Sequence, residues 1–251
     1  MIQAVLFDLG GTIHTVTNTP ERSTWFGAFL LDRLKGYGIE IDKDPADFIT
    51  QLKADAEVYK KHVEETRLEL PCDQIWNDYY LKRYDIPREQ LTPISEELSF
   101  LYDYLRPINM RRPHLIETME ELKGMGMRMG VISNIISQDI VPHFMIEYGL
   151  DKYMECVITS ADVLWRKPAP EIFRVAEQKM QLKPEDFAYV GDTLSRDVRG
   201  VRAAGWNMVI QIEHQATAHR DVGLAQQGIS PDYLIRDLSE IPAIIRAANG
   251  I

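Results

Sequence analysis

The stretch Ala4-Val5-Leu6-Phe7-Asp8-Leu9-Gly10-Gly11-Thr12 joins a short apolar run to an aspartate and two glycines. An apolar run without polar alternation is typical of a strand that is buried on both faces. The glycines behind it predict a tight turn. Ligands of an open parallel sheet bind beyond the carboxyl ends of its strands, so Asp8 is the first candidate functional residue.

The sequence after His114 also contains short apolar runs. Apolar runs alternate there with helical stretches, and the runs cover residues 127–132, 156–158, 187–190, 207–212 and 233–235. This alternation predicts an α/β fold, with a Rossmann-like parallel sheet that has helices on both faces. We assign residues 1–15 and 108–251 to this core.

The segment between the two parts of the core differs in composition. Residues 16–107 are rich in Glu, Lys, Leu and aromatic side chains at helical spacing, with prolines between the helical stretches. We predict amphipathic helices and no strand here. The segment would form an all-helical domain inserted after the first strand, with chain crossings near residues 14–17 and 105–112 as hinges.

Charge and composition disfavour several classes of protein. The chain of 251 residues has 28 Lys and Arg against 38 Asp and Glu, a net charge of −10, which disfavours nucleic acid or an anionic membrane as a partner. We find no membrane segment and no targeting segment, so we expect a cytoplasmic protein, monomeric by default. Cys72 and Cys156 predict neither a disulfide framework nor a zinc site.

Polar side chains follow the other predicted strands. Ser133 and Asn134 come after the second strand, and Asp192 comes after the fourth. Lys167 lies in a proline-bracketed loop, and Asp197 lies on the first turn of the helix after Asp192. Three carboxylates indicate a hard cation such as Mg²⁺, and the lysine and the hydroxyl indicate an anion beside it. A phosphoryl group bound to Mg²⁺ would satisfy both.

Four segments resemble the signatures of one known family, in the family's order. They are Phe7-Asp8-Leu9-Gly10-Gly11-Thr12, Val131-Ile132-Ser133-Asn134, Lys167-Pro168-Ala169-Pro170-Glu171-Ile172-Phe173 and Gly191-Asp192-Thr193-Leu194-Ser195-Arg196-Asp197. On these residues the chain is identified as a member of the haloacid dehalogenase-like (HAD) hydrolase superfamily. Residues 16–107 resemble the helical cap of the family's first subclass.

The resemblance implies how a phosphoryl group would be transferred. Asp8 would be the nucleophile that attacks phosphorus and forms an aspartyl phosphate. Ser133, Asn134 and Lys167 would bind the phosphoryl group of the substrate. Ser133 and Lys167 would also act in catalysis, because positioned charge is the main catalytic tool in phosphoryl transfer.

The resemblance also implies a metal site. Mg²⁺ would be held by Asp8, Asp192 and the backbone carbonyl of Gly10. Asp197 would support the ion through water, or would hold Lys167 in place.

The residue two places after the nucleophile departs from the family pattern. Family phosphatases usually have an aspartate there, which protonates the leaving alcohol and then activates water, but here it is Gly10. Such an acid or base is worth about 10²–10⁴-fold in rate. Three outcomes stay open: His14, Thr15 or Glu21 replaces it, the leaving group is acidic, or the protein is slow or only binds its ligand.

We therefore predict a Mg²⁺-dependent hydrolase, a phosphatase that acts on a small phosphorylated metabolite. A weak or inactive protein that binds a phosphometabolite is the alternative. A more remote alternative is a sugar kinase of the actin-like fold. It is considered because residues 8–12 also resemble the first phosphate-binding loop of that fold. The cap would set specificity, with Glu21, Arg22 and Trp25 as candidates.

The remaining histidines and one arginine pair are interpreted mainly as surface residues. Histidines 62, 114, 143, 214 and 219 show no metal-ligand spacing outside a loop, and we interpret them as surface residues. Arg111 and Arg112 would be a solvated pair or would contact an anionic substrate near the hinge.

Overall fold

Six parallel strands form the central sheet of the computed structural model, which describes residues 1–251. The strands of the molecule are β1 (Ala4–Phe7), β2 (His14–Thr17), β3 (Ile108–Arg111), β4 (Arg128–Ser133), β5 (Met154–Thr159), β6 (Phe187–Gly191), β7 (Met208–Ile212) and β8 (Tyr233–Ile235). The order in the central sheet is β5-β4-β1-β6-β7-β8, so β1 lies between β4 and β6. The predicted α/β Rossmann-like fold is confirmed.

The helices lie between the strands and in one long insertion. They are α1 (Pro20–Gly36), α2 (Pro45–Thr66), α3 (Cys72–Ile75), α4 (Arg88–Leu91), α5 (Ser95–Leu105), α6 (Leu115–Gly124), α7 (Ile140–Glu147), α8 (Ser160–Val163), α9 (Pro170–Met180), α10 (Arg199–Ala204) and α11 (Ile241–Asn249). A π-helical turn, Leu194–Val198, precedes α10. None of these helices is both long and apolar enough to cross a membrane.

Successive side chains of β1 enter two separate apolar layers. Val5 and Phe7 pack in the layer that α6, α7 and α11 cover, while Ala4 and Leu6 pack in the layer under α9 and α10. All four side chains are buried. Since neighbouring residues of a strand point to opposite faces, a sheet covered on both sides needs an unbroken apolar run.

The helices between Pro20 and Leu105, here called the helical block, have a core of their own. Eighteen buried residues form it, and one of them, Ile136, belongs to the sheet-containing part. Its first two helices begin where the sequence supplies caps: Thr19 accepts a hydrogen bond from Arg22 N, and Asp44 accepts from the amides that follow it. Prolines at the first helical positions fit the same pattern.

The two chain crossings pair with each other. Strand β2 runs antiparallel to β3, with His14 opposite Arg111 and Thr17 opposite Ile108. The prediction that residues 16–107 contain no strand is therefore wrong at residues 16–17. Four residues give too short a pattern, and their partner lies more than ninety positions away in the chain.

Candidate active site

Three carboxylates converge at the carboxyl edge of the sheet. Asp8 follows β1 and Asp192 follows β6, and these neighbouring strands pair Phe7 with Val190. Asp197 lies on the π-helical turn behind Asp192. Oxygens of the three side chains lie within 4.8 Å of one another.

Lys167 lies among these carboxylates and is almost completely buried. Its Nζ is 2.9 Å from Asp8 Oδ1 and 2.7 Å from Asp197 Oδ1, and it donates to the Tyr189 hydroxyl at 2.8 Å. Burial alone would lower the pKa of Lys167, but attraction to Asp197 and Asp8 outweighs it and leaves the pKa raised. The site therefore contains a fixed ammonium charge.

Both carboxylate oxygens of Asp197 accept hydrogen bonds from the protein. Its Oδ1 accepts from Lys167, and its Oδ2 accepts from the backbone N–H and the hydroxyl of Thr193, at 3.0 and 2.7 Å. Burial opposes the charged form, yet Lys167 and these hydrogen bonds hold the pKa of Asp197 below its ordinary value. Of its two predicted roles, these contacts favour holding Lys167 in place.

Asp8 and Asp192 keep one oxygen each without a protein donor. Asp8 Oδ1 accepts from Leu9 N at 2.8 Å and from Lys167, and Asp192 Oδ2 accepts from the Thr217 hydroxyl at 2.6 Å. Burial raises the pKa of Asp8 to about 7, with Asp197 and Asp192 adding to it against Lys167. The two open oxygens and the excess of carboxylates over lysine form a donor set that suits a hard divalent cation.

The two glycines after Asp8 face different surroundings. A Cβ on Gly11 would lie 2.1 Å from Asp192 Oδ2, and its φ is +93°, so this position requires glycine. A Cβ on Gly10 would meet only Val16 Cγ2 at 3.5 Å and His14 Nε2 at 3.9 Å, both ordinary contacts. Space alone therefore does not exclude a side chain at residue 10.

His14 lies beside the missing side chain of Gly10. Its ring is buried, its Nδ1 is 3.1 Å from the Tyr148 hydroxyl, and its edge packs on Phe144. Burial, with His214 adding to it, lowers the pKa of His14 to about 4. The ring is neutral at pH 7, so it can accept a proton there but holds none as an imidazolium to donate.

Ser133 ends β4 and Asn134 follows it, and the two side chains have different hydrogen-bond partners. Ser133 Oγ has no hydrogen-bond partner in the protein and lines a cavity of about 250 Å³ together with Asp8 and Lys167. The Asn134 amide donates to Lys167 O at 2.9 Å and accepts from Lys167 N at 2.8 Å. The Asn134 side chain thus holds the lysine loop, and its predicted phosphate contact stays a prediction.

His214 is a site residue that our sequence interpretation missed. Its side chain is 8% exposed, and its Nδ1 lies 3.4 Å from Asp192 Oδ2, so its assignment to the surface is wrong. Thr217 on the same loop donates to that oxygen. Both follow β7, so the strand-end rule that selected Asp192 could also have found them.

Arginines complete the cavity wall. Arg106, Arg196 and Arg220 all line it, and the sequence analysis selected none of them. Arg112 instead donates to the main-chain carbonyls of Gly11 and Glu213, so neither role considered for it is correct.

The proposed cap candidates do not reach the cavity. Glu21 is exposed, and Arg22 packs over the Trp25 ring at 4.1 Å. Thr15, a candidate acid or base, donates its hydroxyl to Met110 O at 3.3 Å. None of these four residues lines the cavity that contains Asp8.

The family model for haloacid dehalogenase-like hydrolase matches residues 2–205. The chain is a haloacid dehalogenase-like hydrolase. This hydrolase has a parallel central sheet, so the alternative of a sugar kinase with the actin-like fold is wrong.

Similar proteins carry phosphatase and dehalogenase names. The hydrolase is 27% identical to the glyceraldehyde 3-phosphate phosphatase of Methanocaldococcus jannaschii over 98% of each chain. It is 31% identical to the pyrophosphatase PpaX of Oceanobacillus iheyensis over 53% of this chain and 59% of that one. A HAD phosphatase from Thermococcus onnurineus has a TM-score of 0.61 and 26% identity, over 97% of this chain and 98% of that one.

Proposed function

We propose that this hydrolase is a Mg²⁺-dependent phosphatase that acts on a small phosphorylated metabolite through an aspartyl phosphate on Asp8. One observation carries the proposal. Asp8 Oδ1 is fixed by Leu9 N and Lys167, while its other oxygen faces no donor, at the edge of a cavity lined by Ser133. A carboxylate held in this way keeps one oxygen free to attack a phosphorus atom in line.

The metal would be held by oxygens of this chain. Asp192 Oδ1, the main-chain carbonyl of Gly10 and the Asp8 oxygen that does not attack would bind Mg²⁺, which neutralises charge on the transferring phosphoryl group when bound. Thr217 and His214 hold the second oxygen of Asp192, so its open oxygen keeps one direction.

The phosphoryl oxygens would be bound by three groups. The Lys167 ammonium would neutralise charge, Ser133 Oγ would donate its free hydroxyl hydrogen, and the main-chain N–H of Asn134 would donate beside it. Tyr189 and Asp197 fix the ammonium, so its geometry is set before substrate binds. Such preorganisation is where most of the catalytic effect of these groups would come from.

Residues 16–107 would act as a cap over Asp8 and the sheet-containing part as the catalytic core. Arg106 and Asp103 of this segment line the same cavity as Asp8. A volume of about 250 Å³ suits a small metabolite rather than a macromolecule.

Phosphate release tests the function. With Mg²⁺ and a panel of small phosphate compounds, we expect release that disappears in Asp8→Asn and on chelation of the metal. Asp151→Asn, a change at an exposed turn, is the matched control and should keep full activity. Equal release by the wild type and by Asp8→Asn would end the nucleophile assignment.

A second candidate follows from Gly10, which supplies no acid or base. The protein would then bind a phosphometabolite without turnover. Formation of a beryllofluoride complex on Asp8, together with the absence of phosphate release, would favour this reading over catalysis.

A further inference from the structure

Two arginines in the cavity of Asp8 have almost no partners in the protein. The Arg220 side chain makes no hydrogen bond or ion pair, and its buried Nε has no acceptor. Arg196 has one ionic partner, Glu64 at 3.5 Å, whose side chain is 53% exposed while that of Arg196 is 19% exposed. A mostly exposed carboxylate at this distance stabilises the largely buried charge of Arg196 only slightly.

Nearby cations, in contrast, have partners in the protein. Arg166 forms an ion pair with Glu69, which is fully buried. Arg106 also has an Nε without an acceptor, but its guanidinium donates to Asn18 Oδ1 at 3.1 Å and packs over the Tyr102 ring, and attraction to Tyr102 and Asp103 raises its pKa against the effect of burial. The uncompensated positive charge of the cavity is therefore located at Arg196 and Arg220.

Arg196 and Arg220 line the same two neighbouring cavities, and Lys167 lines both as well. Like charges at one cavity repel each other, and an anion bound there would remove this repulsion and occupy their donors. Guanidinium groups bind phosphate oxygens in bidentate pairs, so the arrangement suits a phosphate group.

The absence of an acid at Gly10 is a second, separate observation that restricts the chemical class of the leaving group. An alcohol leaves as an unstable alkoxide unless a proton reaches it, and Gly10 has no side chain to supply one. A phosphate that already carries a proton or an ester group leaves as a stable dianion and needs no proton from the protein. The absent acid and the unpaired arginines therefore point to the same kind of leaving group.

We propose that the substrate is a phosphoric anhydride, and that Arg196 and Arg220 bind the phosphate that leaves while the terminal phosphoryl group is transferred to Asp8. The proposal rests on the phosphatase function above and specifies its substrate class. A leaving phosphate is favoured over a carboxylate because it carries more negative charge to match two guanidinium groups.

The two steps balance without a proton donor. A carboxylate oxygen of Asp8 forms a bond to the terminal phosphorus, and the bond from phosphorus to the bridging oxygen breaks. Its electron pair leaves on the bridging oxygen of the other phosphate, which keeps its own proton or ester group and departs as a dianion bound to the arginines. Water then adds to the phosphorus of the aspartyl phosphate, and the bond from phosphorus to Asp8 breaks. The carboxylate is restored, and the water oxygen and both hydrogens leave as dihydrogen phosphate.

Binding of a non-hydrolysable anhydride analogue tests the arginine site. With Mg²⁺ in excess, calorimetry would compare methylenediphosphonate with methylphosphonate, which lacks the second group. Loss of a hydrogen bond to a charged group predicts about 10- to 100-fold weaker binding of methylenediphosphonate in Arg220→Gln and Arg196→Gln, and less than about 3-fold for methylphosphonate. Arg174→Gln is the control, because that arginine is 55% exposed and has its only partner at 3.9 Å.

Turnover tests the substrate class. Wild-type kcat/KM should be higher for inorganic diphosphate than for acetyl phosphate or glycerol 3-phosphate. Unchanged diphosphonate binding in both arginine variants would overturn the site, and so would equal weakening of methylphosphonate. Absent diphosphate turnover, or faster turnover of either comparison substrate, would overturn the substrate class. If glycerol 3-phosphate is hydrolysed in an Asp8-dependent way, the phosphatase function stands even then.

Discussion

Replacing Gly10 by aspartate should give this hydrolase the acid and base that it lacks. The new Cβ would lie 3.5 Å from Val16 Cγ2 and 3.9 Å from His14 Nε2, which are ordinary contacts. The φ of Gly10 is not in the left-handed region, so an aspartate fits its backbone. We therefore expect Gly10→Asp to fold, with a melting temperature within about 4 °C of the wild type, equivalent to roughly 1 kcal/mol.

The expected gain depends on the leaving group. A general acid contributes about 10²–10⁴-fold, and an aspartate placed without tuned neighbours should reach the lower end, about 100-fold or 2.7 kcal/mol in the barrier. This gain should be seen for glycerol 3-phosphate, whose alcohol needs a proton. For diphosphate, whose leaving group needs none, we expect a change below about 3-fold.

The assay is kcat for both substrates in wild type, Gly10→Asp and Gly10→Asn. The asparagine variant has the same shape but no titratable proton, so it separates acid catalysis from a packing effect. A folded Gly10→Asp enzyme that hydrolyses glycerol 3-phosphate no faster than the wild type would refute the reasoning. Equal gains for both substrates would refute it as well.

Three further predictions concern the site and its support. Gly11→Ala should lower kcat by more than about 100-fold, because its Cβ would lie 2.1 Å from Asp192 Oδ2 and displace that carboxylate. Glu69→Gln should destabilise the fold by about 3 kcal/mol in urea unfolding, since it leaves a buried arginine without its ion pair. In the metal-free protein, the pKa of Asp8 rises from 3.8 to about 7 on folding, so stability is lost as pH rises from about 4 to 7. Asp8→Asn should remove this loss, which is at most about 4 kcal/mol by unfolding at a series of pH values.

Each of these predictions has a control variant or an outcome that would contradict it. Gly38→Ala shares a positive φ of +76° but has nothing within 4 Å, so it should cost about 1 kcal/mol of stability and leave kcat unchanged. Glu155→Gln breaks an exposed pair with Arg128 and should cost below about 1 kcal/mol. Because the lowered pKa values of His14 and Asp197 act in the opposite direction, the comparison is between variants: a metal-free wild type whose stability changes between pH 4 and 7 in the same way as that of Asp8→Asn would contradict the raised pKa of Asp8.

The central sheet and its polar edge were accessible to sequence reasoning because they depend on local patterns. The apolar run before Asp8 contains the residues that both layers of the core require. Once a strand is recognised, its carboxyl end follows, and neighbouring strands bring their ends together. This is why Asp192 and Ser133 could be selected without a structure.

The remaining contacts depend on residues far apart in the chain. Nothing near Glu69 in the sequence indicates that its carboxylate pairs with Arg166, 97 positions later. His214 resembles any loop histidine until the loop is placed against Asp192. Tyr189, a residue in the middle of a strand, holds Lys167 only because the lysine loop crosses that strand.

The segment around Glu69 joins the helical block to the loop that carries Lys167. Besides the ion pair, Glu69 N donates to Leu164 O, and Arg166 N donates to Arg67 O. Arg166 is the residue directly before Lys167, so the helical block cannot move away from the sheet without pulling on the main chain next to the ammonium. A movement that opened the cleft would therefore also disturb the contacts that position the Lys167 ammonium. Entry of small molecules and the strength of phosphate binding would then be coupled.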